Sequence, residues 1–287
     1  MCWGYGGYGQ LGNGKSGNEY ISGKPVAVSD ITSAKSVVAG ENHTCALLSE
    51  GTISCWGSNS YGQLGNGKTD DSAVPVTVTD SSGSPVKEVA TLVAGTSSTC
   101  AALTDGTALC WGNNASGQLG NGKTDNSPNP VKAAFGPAIQ LAPGEQHTCG
   151  RDNEGVVACW GQGYYGQLGT GATDDSLDPV KPKTSAAATT ISSGETHSCA
   201  VINTSNSIIE CWGYNYNGQL GDGSTVERDA PVQVRSLQNA FQVSGGAEHS
   251  CALVDKGTAY CWGYGAFGQL GDGTTGDSAV PTLVYGF

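Results

Sequence analysis

The 287 residues carry 13 Lys and Arg against 25 Asp and Glu, a formal net charge of -12 with no basic tail, so a phosphate backbone is repelled and no nucleic-acid partner is expected. No window approaches the roughly 20 apolar residues of a spanning helix, so no membrane insertion is expected. Six Trp, eleven Tyr and many Val, Leu and Ala argue against disorder, and 45 Gly indicate many tight turns.

From the N-terminus, Cys-Trp-Gly recurs at Cys2, Cys55, Cys110, Cys159, Cys211 and Cys261, each time followed, after a four-residue gap, by Gly-Gln-Leu-Gly. Successive Trp residues, at 3, 56, 111, 160, 212 and 262, lie 53, 55, 49, 52 and 50 apart, a period that fits one four-stranded propeller blade. No helical stripe competes with this pattern. The fold class expected is all-β: a single β-propeller domain over 1-287, with an outer half-blade at 1-28 and complete blades at 36-79, 88-132, 139-181, 189-234 and 241-284. Within the first complete blade, Val37 to Gly40 form the inner strand, a hairpin joins two Cys-bearing strands, and Pro75 marks an edge strand that tolerates a missing N–H.

These residues closely resemble the regulator of chromosome condensation repeat family. The resemblance rests on Gly40-Glu41-Asn42-His43-Thr44-Cys45-Ala46-Leu47, then Gly51, Trp56-Gly57 and Gly62-Gln63-Leu64-Gly65, and it covers essentially the whole chain. It implies a propeller, commonly of seven blades, and for part of the family nucleotide exchange on a small GTPase. The chain departs from the family by having fewer repeats and a Cys in both central strands, which suggests an exported, bacterial-type branch.

Ten of the eleven Cys pair by register: Cys45 with Cys55, Cys100 with Cys110, Cys149 with Cys159, Cys199 with Cys211, and Cys251 with Cys261. Placing Cys45 opposite Cys55 leaves the three-residue loop Ser49-Glu50-Gly51, with Gly where a left-handed backbone is favoured. Directly opposed residues stand at disulfide separation. A zinc site lacks its usual C-x-x-C spacing. Five bridges imply an extracellular, cell-surface or periplasmic protein. Yet Met1 runs straight into Cys2-Trp3-Gly4 without the charged start and apolar segment of a secretory signal. Cys2 expects its partner about ten residues upstream by repeat logic. The chain is therefore read as an incomplete seven-bladed ring whose open edge can self-associate, with any signal peptide in the missing portion.

All four His, at 43, 147, 197 and 249, precede a Cys by two residues, and Ser98 takes that position in the remaining copy. Repetition points to satisfied structural imidazoles rather than a catalytic base or metal ligand, and no catalytic set, cofactor or metal is expected. Gly-Gln-Leu-Gly lacks the Lys and Ser/Thr of a phosphate loop; Leu64 is expected to pack and Gln63 to satisfy backbone groups. The Trp residues should lie between blades, and the acidic stretches Thr69 to Ser72 and Thr173 to Ser176 are read as solvated charge rather than calcium loops. Asn42, Asn114 and Asn203 begin glycosylation sequons.

Eight Tyr fall in the four-residue gaps. The final gap position, Tyr8, Tyr61, Tyr165 and Phe267, repeats and is read as packing, whereas earlier positions vary on a constant scaffold. Tyr164, Tyr214, Tyr216 and Tyr264 are the expected binding residues, for a protein or glycan partner, near Glu41, Asn42, Glu145, Glu195 and Glu248. The leading expectation is a non-catalytic binding propeller. The alternatives are a guanine-nucleotide exchange factor, for which the even spacing leaves no inserted wedge, and a propeller hydrolase or lyase, for which no paired carboxylates stand out.

Overall fold

In the computed structural model, which describes Met1–Gly286, short antiparallel strands form nearly all the regular structure. The first sheet has two strands, β1 (Cys2–Tyr5) and β2 (Ile21–Val26). Five four-stranded sheets follow, each ordered as in the chain. They are β3 (Ala34–Ala39), β4 (His43–Leu48), β5 (Ile53–Gly57) and β6 (Ser72–Thr77); then β7 (Val89–Ala94), β8 (Ser98–Leu103), β9 (Ala108–Gly112) and β10 (Ser127–Lys132). The third set is β11 (Ala138–Pro143), β12 (His147–Asp152), β13 (Val157–Gly161) and β14 (Ser176–Val180), and the fourth is β15 (Ala188–Ser193), β16 (His197–Ile202), β17 (Ile208–Gly213) and β18 (Arg228–Gln233). The last is β19 (Ala240–Gly245), β20 (His249–Val254), β21 (Thr258–Gly263) and β22 (Ser278–Leu283). A single 3-10 turn, Asp255–Gly257, is the sole helical element among the described residues.

The fold is an all-β propeller with five complete blades and an outer half-blade. The half-blade leaves Trp3 64% exposed, whereas the five other Trp are buried. The chain divides into two compact units: Met1–Ala115 with Leu119–Ala138, and Ser116–Gln118 with the residues from Ile139 on.

Turn chemistry and cysteines set the same register. Leu48 N–H donates to the Thr52 carbonyl across 2.9 Å, Gly51 adopts φ 80°, and Cys45 stands opposite Cys55. All five expected disulfides are present with Cα atoms 4.0 to 4.1 Å apart, and Cys2 is free. Each outer strand carries its Pro on the sheet edge, where no ladder hydrogen bond is lost.

The seams between blades explain the repeated residues. In the first unit, Thr99 Oγ1 donates to the Gln63 carbonyl at 3.0 Å and Trp111 Nε1 donates to the same carbonyl at 2.9 Å. Gln167 and Gln219 repeat this in the second unit, receiving Ser198 with Trp212 and Ser250 with Trp262. Three of the Trp also pack on the disulfide of the preceding blade: Trp111 clusters with Cys45, Cys55 and Leu64, Trp212 with Cys149, Cys159 and Leu168, and Trp262 with Cys199, Cys211 and Leu220. Gly169, at φ 70°, has no room for a side chain, because a Cβ there would stand 2.9 Å from Trp212 Nε1.

The same hydroxyls fix the His tautomer. His43, His147 and His197 place Nε2 2.9, 2.8 and 2.8 Å from Thr99, Ser198 and Ser250. Those hydroxyls already spend their proton on a Gln carbonyl, so Nε2 must be the donor and Nδ1 is left unprotonated. The Nδ1 atoms of His43 and His197 are buried without a hydrogen-bond partner. The expectation of fully satisfied imidazoles is thus corrected at His43 and His197: one nitrogen is hydrogen-bonded and the other is buried without a partner. Burial lowers His43 and His147 to about 4, and burial with the neighbouring His147 and His249 lowers His197 to about 3. Gly194 precedes His197 because a Cβ there would collide with the ring.

Candidate interaction surface

In the five complete blades the four-residue gaps after Trp-Gly start from the same backbone anchor. The first gap residue donates its N–H to the carbonyl just before the blade's second strand: Ser58 to Asn42, Asn113 to Ser97, Gln162 to Gln146, Tyr214 to Thr196, and Tyr264 to Glu248. The two connections therefore emerge together, and the first gap side chain sits beside the Glu-rich turn, as the sequence pattern implied.

The second gap position holds the turn, a role the sequence reading missed. Asn59, Asn114 and Asn215 are fully buried. Asn215 Nδ2 donates to the Ser224 and Val226 carbonyls at 3.1 and 2.9 Å, while its Oδ1 accepts Leu220 N–H at 2.9 Å. Where Gly stands instead, its N–H is taken by a distant carboxylate, Asp175 for Gly163 and Asp277 for Gly265, both at 2.8 Å. Asp71 accepts Asn59 N–H in the same way at 2.7 Å. The Asp residues of the acidic stretches are exposed, as solvated charge should be, and Asp71 and Asp175 also cap their loops. An Asn or Asp twelve residues after the gap's second position was the signal available in the sequence.

With that keystone buried, the flanking positions are free. Tyr164 is 68% exposed and Tyr216 is 73% exposed, while Tyr214 and Tyr264 are half-buried. Tyr164 stands edge-on to Tyr165 at 4.9 Å between centroids, and Tyr165 meets Tyr214 at 5.0 Å. The structure therefore gathers Tyr164 and Tyr214 through Tyr165, a residue assigned to packing alone. Tyr264 instead meets Phe267 at 5.9 Å. Phe267 is 86% exposed, so the packing reading of the final gap position is corrected there: the ring covers its neighbour on one side and faces solvent on the other. The Tyr214 hydroxyl is raised above the usual phenol value, first by burial, then by Glu248, Tyr165, Glu227 and Tyr216.

Of the three sequons, Asn114 is buried with its amide fully engaged, Asn42 accepts Gln10 Nε2 at 3.4 Å, and Asn203 sits exposed on the longer hairpin loop of the fourth complete blade. Among the described residues, no three His, Cys, Asp or Glu side chains converge as a metal site.

The Regulator of chromosome condensation (RCC1) repeat model matches residues 2–47, 50–102, 105–150, 154–201, 211–253 and 256–287. The Ultraviolet-B receptor UVR8 of Arabidopsis thaliana is 35% identical over 265 residues, covering 90% of this chain and 59% of the receptor, so the chain spans well under two thirds of that relative. Human E3 ubiquitin-protein ligase HERC2 is 33% identical over 131 residues, 45% of this chain and 3% of the ligase. Human WBSCR16 shares the fold at a TM-score of 0.83 and 23% identity, covering 98% of this chain and 76% of its own. Prp20p of Saccharomyces cerevisiae does so at 0.68 and 24%, covering 99% and 85%. With six matched segments spanning most of its length, the chain belongs to the regulator of chromosome condensation repeat family.

Proposed function

We propose that this propeller is a non-catalytic binding module that holds a protein partner on the Tyr-rich gap loops of its second unit. The carrying observation is the contrast within one turn: Asn215 is buried and fully hydrogen-bonded, while Tyr216 beside it is 73% exposed. A large aromatic held rigidly at the surface supplies contact area at low entropic cost. Relatives support a protein partner over a glycan. Prp20p has been characterised for its binding to Gsp1p and histones, and has been crystallised with Kap60. The five disulfides fit an oxidising compartment, so the partner is sought outside the cytosol.

The test is affinity capture with the oxidised protein as bait on secreted and surface proteins of its source, with captured proteins identified by mass. The bait is compared with a variant carrying Tyr164→Ala, Tyr214→Ala, Tyr216→Ala and Tyr264→Ala. The expected result is a defined protein retained by the first and lost by the second. Equal retention by both, or retention of glycans alone on an array, overturns the reading.

A further inference from the structure

The aromatic cluster of the second unit stands in a one-signed electrostatic field. Tyr164, Tyr165 and Tyr214 form a run of edge-to-face rings, with interplanar angles of 85° and 63°. Tyr164 and Tyr216 are mostly exposed, which leaves ring face open to solvent at both. Aromatic faces carry negative partial charge and attract cations lying within about 6 Å of the centroid. Among the described residues, the carboxylates acting on Tyr214 are those of Glu248 and Glu227, which add to that sign. The nearest basic residue in sequence, Arg228, is already committed, with Nη2 2.8 Å from Asp222 Oδ2. At the scale of the whole chain the formal charge is -12, which draws basic partners and repels acidic ones.

We propose that Tyr164, Tyr165, Tyr214 and Tyr216, with the carboxylates of Glu227 and Glu248, receive a cationic side chain, Arg or Lys, presented by the protein partner. This rests on the binding reading above and names its chemistry. The open ring faces supply cation–π attraction and the two carboxylates supply charge, a combination selective for a cation over a neutral side chain of the same shape. Arg adds planar stacking to this, and Lys presents a compact ammonium.

The experiment titrates the full oxidised chain with three labelled probe peptides of alternating Gly and one other residue: Arg, Lys, or citrulline as the uncharged counterpart of Arg. Fluorescence anisotropy reads binding. The expected result is that at least one cationic peptide binds about tenfold or more tighter than the citrulline peptide, and that the stronger one identifies the side chain. Glu227→Gln with Glu248→Gln should weaken that binding about fivefold or more, whereas Glu19→Gln with Glu154→Gln, two exposed acids elsewhere, should not. Equal binding of the citrulline peptide overturns the proposal, as does an equal loss in the distant acid variant, which would mean diffuse attraction. If capture of the partner depends on the Tyr residues but these charge tests fail, the cation site falls and the binding surface stands. If capture is also independent of the Tyr residues, both fall.

Discussion

The seam of the second unit and the gap loops above it are built from the same repeat, yet they treat side chains oppositely. In the seam, the Gln167 and Gln219 carbonyls each receive a Trp indole and a Ser hydroxyl, and Trp212 and Trp262 are fully buried. A few residues further along, Tyr164, Tyr216 and Phe267 stand in solvent on turns anchored by a Gln side chain, whose Oε1 accepts the N–H of Tyr165, Asn217 or Phe267. The difference separates what repetition in a sequence marks from what it does not. Residues that recur because each blade must dock on the next are held by geometry that tolerates few alternatives. Residues that recur in a turn can do so because the turn recurs, and still be exposed.

This comparison is broken first by acid. His43, His147 and His197 are neutral and buried, at about 4, 4 and 3, against 6.5 for a free imidazole. The unfolded chain takes up protons below about pH 6.5 while the folded chain does not. Stability is therefore fully present above that pH and is lost as pH falls toward the folded values. Each ring accounts for about 3 kcal/mol by pH 4. Urea unfolding followed from pH 7 to pH 4 should show a steep fall, made shallower by His197→Gln. A flat profile would mean the seam imidazoles are not buried neutral.

A smaller effect is expected from Cys199→Ser with Cys211→Ser. The pair closes a short hairpin whose strands β16 and β17 are also registered by Ile202 opposite Ile208 and Val201 opposite Ile209. Loss of the bridge should cost on the order of 2 to 3 kcal/mol. Hydrogen exchange should show the two strands still paired, because register is set by burial as well as by sulfur. Exchange of the whole hairpin at the rate of an unfolded chain would show that the disulfide alone holds it.

Much of the seam was legible because independent signals agreed on it. Cysteine spacing and the Gly at the hairpin turn gave one register, and alternation along the strand put Trp56 on the face opposite Cys55. The carbonyl of Gln63 was not legible as the joint acceptor for Thr99 and Trp111, because a main-chain acceptor leaves no mark on residue type. Asn59, Asn114 and Asn215 escaped notice because two other complete blades carry Gly there, whose N–H is still capped by Asp175 or Asp277 as Asp71 caps that of Asn59. The candidate surface was legible to the extent that variable Tyr positions were recognised. The joining of Tyr165 to Tyr214 was not, because that contact crosses from one blade to the next.

The most direct measurement pairs one change in each region on the same protein. Trp212→Ala removes a buried indole and leaves the Gln167 carbonyl one donor short, and should cost about 3 to 5 kcal/mol. Changing Tyr164, Tyr214, Tyr216 and Tyr264 together to Ala should alter stability by only about 1 to 2 kcal/mol, mainly through the two half-buried rings. Melting and partner binding are then measured side by side for both. The account predicts that the Trp212 variant melts early but still binds below its melting temperature, while the Tyr variant melts near the parent and does not bind. A Tyr variant that binds as the parent does, or that unfolds as readily as the Trp212 variant, would contradict it.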